Sequence, residues 1–300
     1  MPSLEVSGVS KRYPGFELQP VSFSVEAGEV FAVLGLNGAG KSTLLRTIAG
    51  TVLPDAGTVG ICGRNRRPGR ADPRLSVVLD GGRSLYWKMS VAENIDYFGA
   101  LKGASARSRR ARRDEVLLRA GLADKGDSLV GTLSRGMQQR LVLAIAVMCE
   151  PRVLLLDEPT LGVDLVHERL ILQAIETLRD RGCAVVLTSH QLDFIERLAT
   201  RALVLEGGRS KEPQALGELR DLMGEQVLEV ELEHTPSGAL IAQLCAMGVS
   251  VDGRSLRADA STTSLYSVLD AVRPAAIVSC TVGRASLRNA MEHMAQKEAA

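Results

Sequence analysis

"GLNGAGKST", residues 35–43, follows "EVFAVL" (29–34) and precedes "LLRTIAG" (44–50). Val30, Phe31, Ala32, Val33 and Leu34 form a continuous apolar run of strand length, the pattern of a strand buried on both faces of a parallel sheet. Gly35, Gly38 and Gly40 then free the backbone to curl, so that successive N–H groups point inward. Apolar residues at helical spacing resume at Leu44, and a helix starting near Lys41 brings the positive end of its dipole to the turn. Such a nest fits phosphate oxygens, cradled by the backbone from Asn37 through Gly38 and Ala39 to Gly40. Lys41 supplies a mobile positive charge, and the Ser42 hydroxyl, followed by Thr43, is placed to ligate Mg²⁺. The spacing is G-x-x-x-x-G-K-[ST], set between a strand and a helix as that motif requires.

Composition narrows the setting. Three hundred residues suffice for one large or two ordinary domains. Lys and Arg total 36 against 35 Asp and Glu, so a net charge of +1 gives no global reason to expect nucleic acid. The longest apolar stretch, "LVLAIAVMC" at 141–149, covers about half a membrane span. The opening "MPSLEVSGVSKRY" lacks a charged-then-apolar signal pattern, so a cytoplasmic protein is expected. The scattered Cys62, Cys149, Cys183, Cys245 and Cys280 show no C-x-x-C spacing and read as reduced thiols.

Along the chain, the first 30 residues read as short strands, with Val21, Phe23 and Val25 alternating with polar neighbours. From about 86 to 148 the pattern turns helical, in "VAENIDYFGAL" and "RRDEVLLRAGL". Strand signals return in "RVLLLDEP", "CAVVLTSH" and "RALVLEGG", each after a helical segment, as a parallel sheet demands. Past residue 215 the texture changes. "VLEVELEH" has one wet face at Glu229, Glu231 and Glu233, "SGALIAQLCAMG" is a capped helix, and Asp252-Gly253 marks a hairpin. A helix around Leu265 and Val268 and a strand "AIVSCTV" complete the order β-α-β-β-α-β, that of a ferredoxin-like sandwich.

"RVLLLDEPT", 152–160, ends an apolar strand on two carboxylates. At the carboxyl end of a central strand Asp157 is expected beside the phosphate turn, holding Mg²⁺ directly or through water. Glu158 is then placed to polarise an attacking water as general base. "LSRGMQQR", 133–140, stands at the head of a long apolar helix just before that strand, where Ser134 also reads as an ordinary helix N-cap.

Taken in order over roughly residues 1–210, these motifs resemble the ATP-binding subunit of an ABC transporter, of the branch that exports drugs, polysaccharides or lipids. The resemblance implies an α/β fold: a P-loop ATPase core with an N-terminal antiparallel β subdomain and a helical insertion at about 86–148, spanning 1–215. A small ferredoxin-like α+β accessory or regulatory domain is expected over 216–300. It further implies that Tyr13, in "KRYPG", stacks on adenine, and that Ser134 and Gly136 face the γ-phosphate of ATP bound by a second copy. Asp164, in "LGVD", touches that partner, and His190, in "LTSHQ", senses γ-phosphate. Glu158, His190 and Lys41 are the implied catalytic residues, with ATP and Mg²⁺ bound.

The chain departs from that pattern at Leu36, where proline is common, and at Arg135 and Met137 of the signature. "SVVLDGGRSLYW" lacks the glutamine that reaches Mg²⁺ and the membrane partner. Asp80 is the nearest substitute, with Gly81 in its place under a one-residue shift. The run "RSRRARR", 107–113, reads as a solvated helix face, with a contact to nucleic acid or anionic lipid as the alternative. Two copies sandwiching ATP are expected to drive separate transmembrane permease subunits, with the chain peripheral on the inner face of the cell membrane. The competing reading is a soluble ATPase switch acting on ribosomes or DNA.

Overall fold

The structure, a computed structural model, describes residues 1–66, 70, 72–79, 84–148, 150–161, 163, 165–222, 226–260 and 262–284. It divides into two compact units, Met1–Ala215 and Leu216–Ala300.

In the first unit β1 (Leu4–Tyr13) and β2 (Phe16–Val25) form an antiparallel ribbon of two ten-residue strands, longer than the short strands expected. Val21, Phe23 and Val25 turn inward and are buried. β3 (Val30–Gly35) is buried at all six positions and leads into α1 (Lys41–Ala49). β4 (Ala56–Ile61) and β5 (Arg64–Asn65) complete a four-stranded sheet of order β2-β1-β4-β5. After β6 (Leu75–Val78) come three helices, α2 (Val91–Leu101), α3 (Ala106–Arg119) and α4 (Arg135–Met148). A capping box starts α2: the Glu93 N–H donates to Ser90 Oγ at 3.1 Å and the Ser90 N–H to Glu93 Oε2 at 2.7 Å.

β7 (Val153–Asp157), α5 (Leu165–Asp180), β8 (Ala184–Thr188), α6 (Leu192–Leu198), β9 (Arg201–Glu206), β10 (Arg209–Ser210) and β11 (Gln214–Ala215) follow. The large sheet runs β10-β9-β3-β8-β7-β6, with β11 also on β9. Strands β9, β3, β8, β7 and β6 are parallel neighbours, so their carboxyl ends share one edge. Runs such as "VLLLD" and "AVVLT" fit because every residue of β7 and β8 is buried. Phe23 of the small sheet stacks on Phe31 of the large one, with ring centroids 4.8 Å apart, and ties the two together. β8 stands between β3 and β7, so the carboxylate strand is one strand removed from the phosphate-turn strand.

On α3 the arginine run is partly engaged. Arg112 pairs with Glu150 at 3.2 Å, Arg113 with Asp96 at 3.3 Å, and Arg109 Nη1 donates to the Ala104 carbonyl at 2.5 Å. Arg107 and Arg110 are exposed. Among the described residues no helix is long and apolar enough to cross a membrane.

The second unit opens with α7 (Leu216–Leu222) and continues as β12 (Gln226–Leu232), α8 (Gly238–Ala246), β13 (Ser250–Asp252), β14 (Ser255–Asp259), α9 (Leu265–Val272) and β15 (Ile277–Arg284). Its antiparallel sheet has the order β13-β14-β12-β15. Leu228, Val230 and Leu232 of β12 enter a core with Leu244, Leu256 and Val268. The intervening Glu229 faces outward and pairs with Arg257 at 3.0 Å.

Candidate functional site

The turn after β3 is shaped by positions that tolerate no side chain. Gly35 lies so close to the β9 backbone that an added Cβ would stand 2.4 Å from the Leu205 carbonyl oxygen. Gly40 has φ +107°, and a Cβ there would stand 2.8 Å from Cζ of Phe16. At Gly38, with φ +83°, a Cβ would meet nothing within 4 Å, so that side of the turn is open. Gly40, the N-cap of α1, has no side chain to accept from the first helical N–H groups. Lys41 is buried, and its Nζ donates to the carbonyls of Gly35 at 2.6 Å and Leu36 at 3.0 Å. Burial lowers its pKa, opposed by the negative charges of Glu158 and Asp157.

At the neighbouring strand ends Asp157 is buried and Glu158 adopts φ +50°, a left-handed conformation unusual for glutamate. Its N–H points at Thr188, 3.2 Å from the carbonyl oxygen and 3.1 Å from Oγ1. The His190 N–H donates to Glu158 Oε2 at 3.1 Å, and His190 Nε2 lies 3.2 Å from Oε1. That second contact has the reach of an ion pair with a protonated imidazole but not the alignment of a hydrogen bond. Among the described residues Glu158 Oε1 is therefore buried without a hydrogen-bond partner.

One cleft of about 1250 Å³ joins these groups. That exceeds the ~300–1,000 Å³ of ordinary small-molecule sites and leaves room for a nucleotide. Asn37, Gly38, Gly40, Lys41, Ser42 and Thr43 line it from the turn, and Asp157, Glu158 and His190 from the strand ends. Ala39 is buried in the core instead. Tyr13 is not among the lining residues; its ring lies 5.8 Å from Lys11 Nζ, and Phe16 at the start of β2 faces the turn. Phe16 escaped the sequence reading, although an aromatic next to the Pro14-Gly15 turn was the available signal.

Across the cleft stand Trp87, Gly131, Arg135, Gln138 and Gln139, of which the last three lie on α4. Ser134 is exposed and outside the lining. Its Oγ accepts the Met137 N–H at 3.3 Å, so it caps α4 within its own chain. Gly136 likewise does not line the cleft. Asp80, Gly81 and Asp164 lie outside the described residues.

The cleft fits a triphosphate and a hard cation on its own chemistry. An open glycine-rich turn, a buried ammonium and an uncapped helix start suit phosphate. A hydroxyl at Ser42 and a carboxylate at Asp157 supply oxygen donors suited to Mg²⁺. Among the described residues no three His, Cys, Asp or Glu converge, so such an ion would complete its shell with phosphate oxygens and water.

Comparison with known proteins agrees with this chemistry. The ABC transporter family model matches residues 18–161. The chain is 35% identical over 273 residues to the daunorubicin resistance ATP-binding protein DrrA3 of Streptomyces coeruleorubidus, covering 90% of this chain and 86% of that protein. It is 38% identical over 233 residues to Nod factor export ATP-binding protein I of Burkholderia orbicola, covering 76% of each. A solved structure of the ATP-binding subunit of an ABC transporter superposes with a TM-score of 0.67 at 27% identity, covering 73% of this chain and 92% of that one.

Proposed function

The chain belongs to the ATP-hydrolysing subunits of ABC transporters, and from that membership we propose that it powers export of a drug, lipid or polysaccharide through separate permease subunits. The observation that carries this reading is the meeting of Lys41, Asp157, Glu158 and His190 in one cleft, in a chain whose relatives are export subunits over most of their length. Those relatives support export over a soluble switch acting on ribosomes or DNA. Attachment to the inner face of the membrane follows from the permease partner.

In this reading the turn from Asn37 to Thr43 holds the triphosphate, with Lys41 as its mobile cation. Ser42 and Asp157 hold Mg²⁺, which when bound supplies charge neutralisation at the phosphates. Glu158 is the general base. Its Oε1 accepts no hydrogen bond from the described residues, while its Oε2 is fixed by the His190 N–H, so the carboxylate is oriented before a water arrives. Ser134 and Gly136 complete the site of a second copy, and Asp164 meets that partner. Tyr13 and Phe16 serve the base. Asp80 stands where the family's metal-reaching glutamine is expected. We read the second unit as a ferredoxin-like accessory domain, supported by its β-α-β-β-α-β order and its sheet of order β13-β14-β12-β15.

Glu158→Gln tests the core of this proposal. It keeps ATP binding, slows hydrolysis by a factor on the order of 10² or more, and accumulates an ATP-bound dimer visible by sedimentation. Undiminished turnover removes Glu158 from the role.

A further inference from the structure

β8 separates the phosphate-turn strand β3 from the carboxylate strand β7, and one side chain at its end reaches both functional carboxylate residues. Thr188 is fully buried and sits in register opposite Asp157. Its Oγ1 lies 2.6 Å from Asp157 Oδ1 and 3.1 Å from the Glu158 nitrogen. The direction of these bonds is not free. A backbone N–H can only donate, so Oγ1 accepts from Glu158 and turns its single proton to Asp157. The Thr188 carbonyl lies 3.2 Å from the same Glu158 nitrogen.

We propose that Thr188 is a positioning residue that orients the metal-binding oxygen of Asp157 and fixes the backbone on which the general base Glu158 rides. Engaging one lone pair of Oδ1 with a short hydrogen bond fixes the carboxylate in one orientation in place of two and favours Oδ2 as the oxygen directed to a cation. Holding the Glu158 N–H keeps that residue at φ +50°, the conformation from which its side chain meets His190. Threonine suits the position because it fills a strand core like valine while carrying the one hydroxyl that does both jobs. This inference rests on the reading of Asp157 as the Mg²⁺ carboxylate.

The test measures binding of a fluorescent ATP analogue to the full-length protein, first in EDTA and then titrated with Mg²⁺. In Thr188→Val the affinity in EDTA stays within about twofold of the parent. The Mg²⁺ concentration at half-effect rises roughly tenfold, the size expected for loss of a partner that orients a metal ligand. Thr188→Ser restores it to within about threefold. Asp157→Asn serves as comparator. If Asp157→Asn leaves the Mg²⁺ midpoint unmoved, the metal-carboxylate reading itself fails. If Asp157→Asn moves the midpoint while Thr188→Val does not, that reading stands and the positioning role is overturned. Should Thr188→Val not fold, Thr188→Ala also lacks the hydroxyl without adding bulk. Equal midpoints for Thr188→Ala and Thr188→Ser then overturn the inference.

Discussion

His190 grips Glu158 from two directions: its backbone N–H donates to Oε2 at 3.1 Å, and its ring Nε2 stands 3.2 Å from Oε1. The first contact belongs to the chain path and survives any substitution at 190 other than proline. The second belongs to the imidazole alone. His190→Ala therefore leaves Glu158 held by one oxygen but free to swing the other. An ion-pair contact from a half-exposed imidazole contributes about 0.2–1 kcal/mol, so kcat for ATP hydrolysis falls by up to about fivefold. ATP affinity measured without turnover changes little, because the triphosphate turn is untouched. A parallel loss of binding would place His190 in substrate recognition instead.

Two glycines of the turn make a paired comparison. Gly38→Ala meets only backbone strain, since no atom lies within 4 Å of the added Cβ and φ is +83°. Its cost is about 1–2 kcal/mol. Gly40→Ala suffers the same class of strain at φ +107° and also drives Phe16 aside from 2.8 Å. Phe16 lines the cleft, so this substitution weakens ATP binding further than Gly38→Ala does. Equal affinities of the two variants, measured by equilibrium titration, would show that the Phe16 contact contributes nothing to the site.

The phosphate turn was legible because everything that shapes it is local: strand, glycines, lysine and helix lie within about twenty consecutive residues. The strand ends with Asp157 and His190 were legible for the same reason, as apolar runs stopping at polar residues. Strand order is a different kind of information. Asp157 is expected beside the turn and lies in the same cleft, but that β8 stands between their two strands was not legible, because which parallel strands are neighbours depends on packing between segments far apart in sequence. Thr188 was invisible for that reason: in "AVVLT" it reads as one more β-branched strand residue, and only its register opposite Asp157 gives it a partner. Phe16 was overlooked beside the more familiar Tyr13.

Cys183 gives a pH test of the core. Burial raises its thiol from the ordinary value of 9.0 to about 12. The folded chain thus keeps a proton that the unfolded chain releases, and stability is lost as pH rises from 9.0 toward 12. The slope is about 1.4 kcal/mol per pH unit. Comparing urea unfolding of the parent and Cys183→Ala at pH 8 and near pH 10.5 isolates it, because the constant cost of the substitution cancels. The parent loses about 2 kcal/mol more than the variant between those conditions. Identical losses would mean that the thiolate is accommodated inside the fold.

The last prediction concerns the second unit. Its core of Leu228, Val230, Leu232, Leu244, Leu256 and Val268 is separate from the core around Phe31, Leu44, Leu155 and Val186 in the first. Each unit thus carries its own apolar interior, and a chain ending after Ala215 folds on its own. The cut must not fall earlier, because Gln214 and Ala215 form β11 and pair with Ala202 and Arg201 of β9. All described lining residues of the cleft lie before that point, so residues 1–215 bind ATP with parental affinity. Among the described residues β15 pairs only with β12 and exposes Ile277, Val278 and Val282, the character of an edge open to another chain. If the second unit holds two copies near one another, closing them on ATP gains from high effective concentration. In the Glu158→Gln background, 1–215 then requires more protein than the full chain to dimerise with ATP, and its parent hydrolyses ATP with a steeper dependence on concentration. Sedimentation equilibrium decides the matter. Equal dimer affinities with and without residues 216–300 assign that unit to regulation or permease docking, and an insoluble 1–215 fragment shows that the two interiors are not independent.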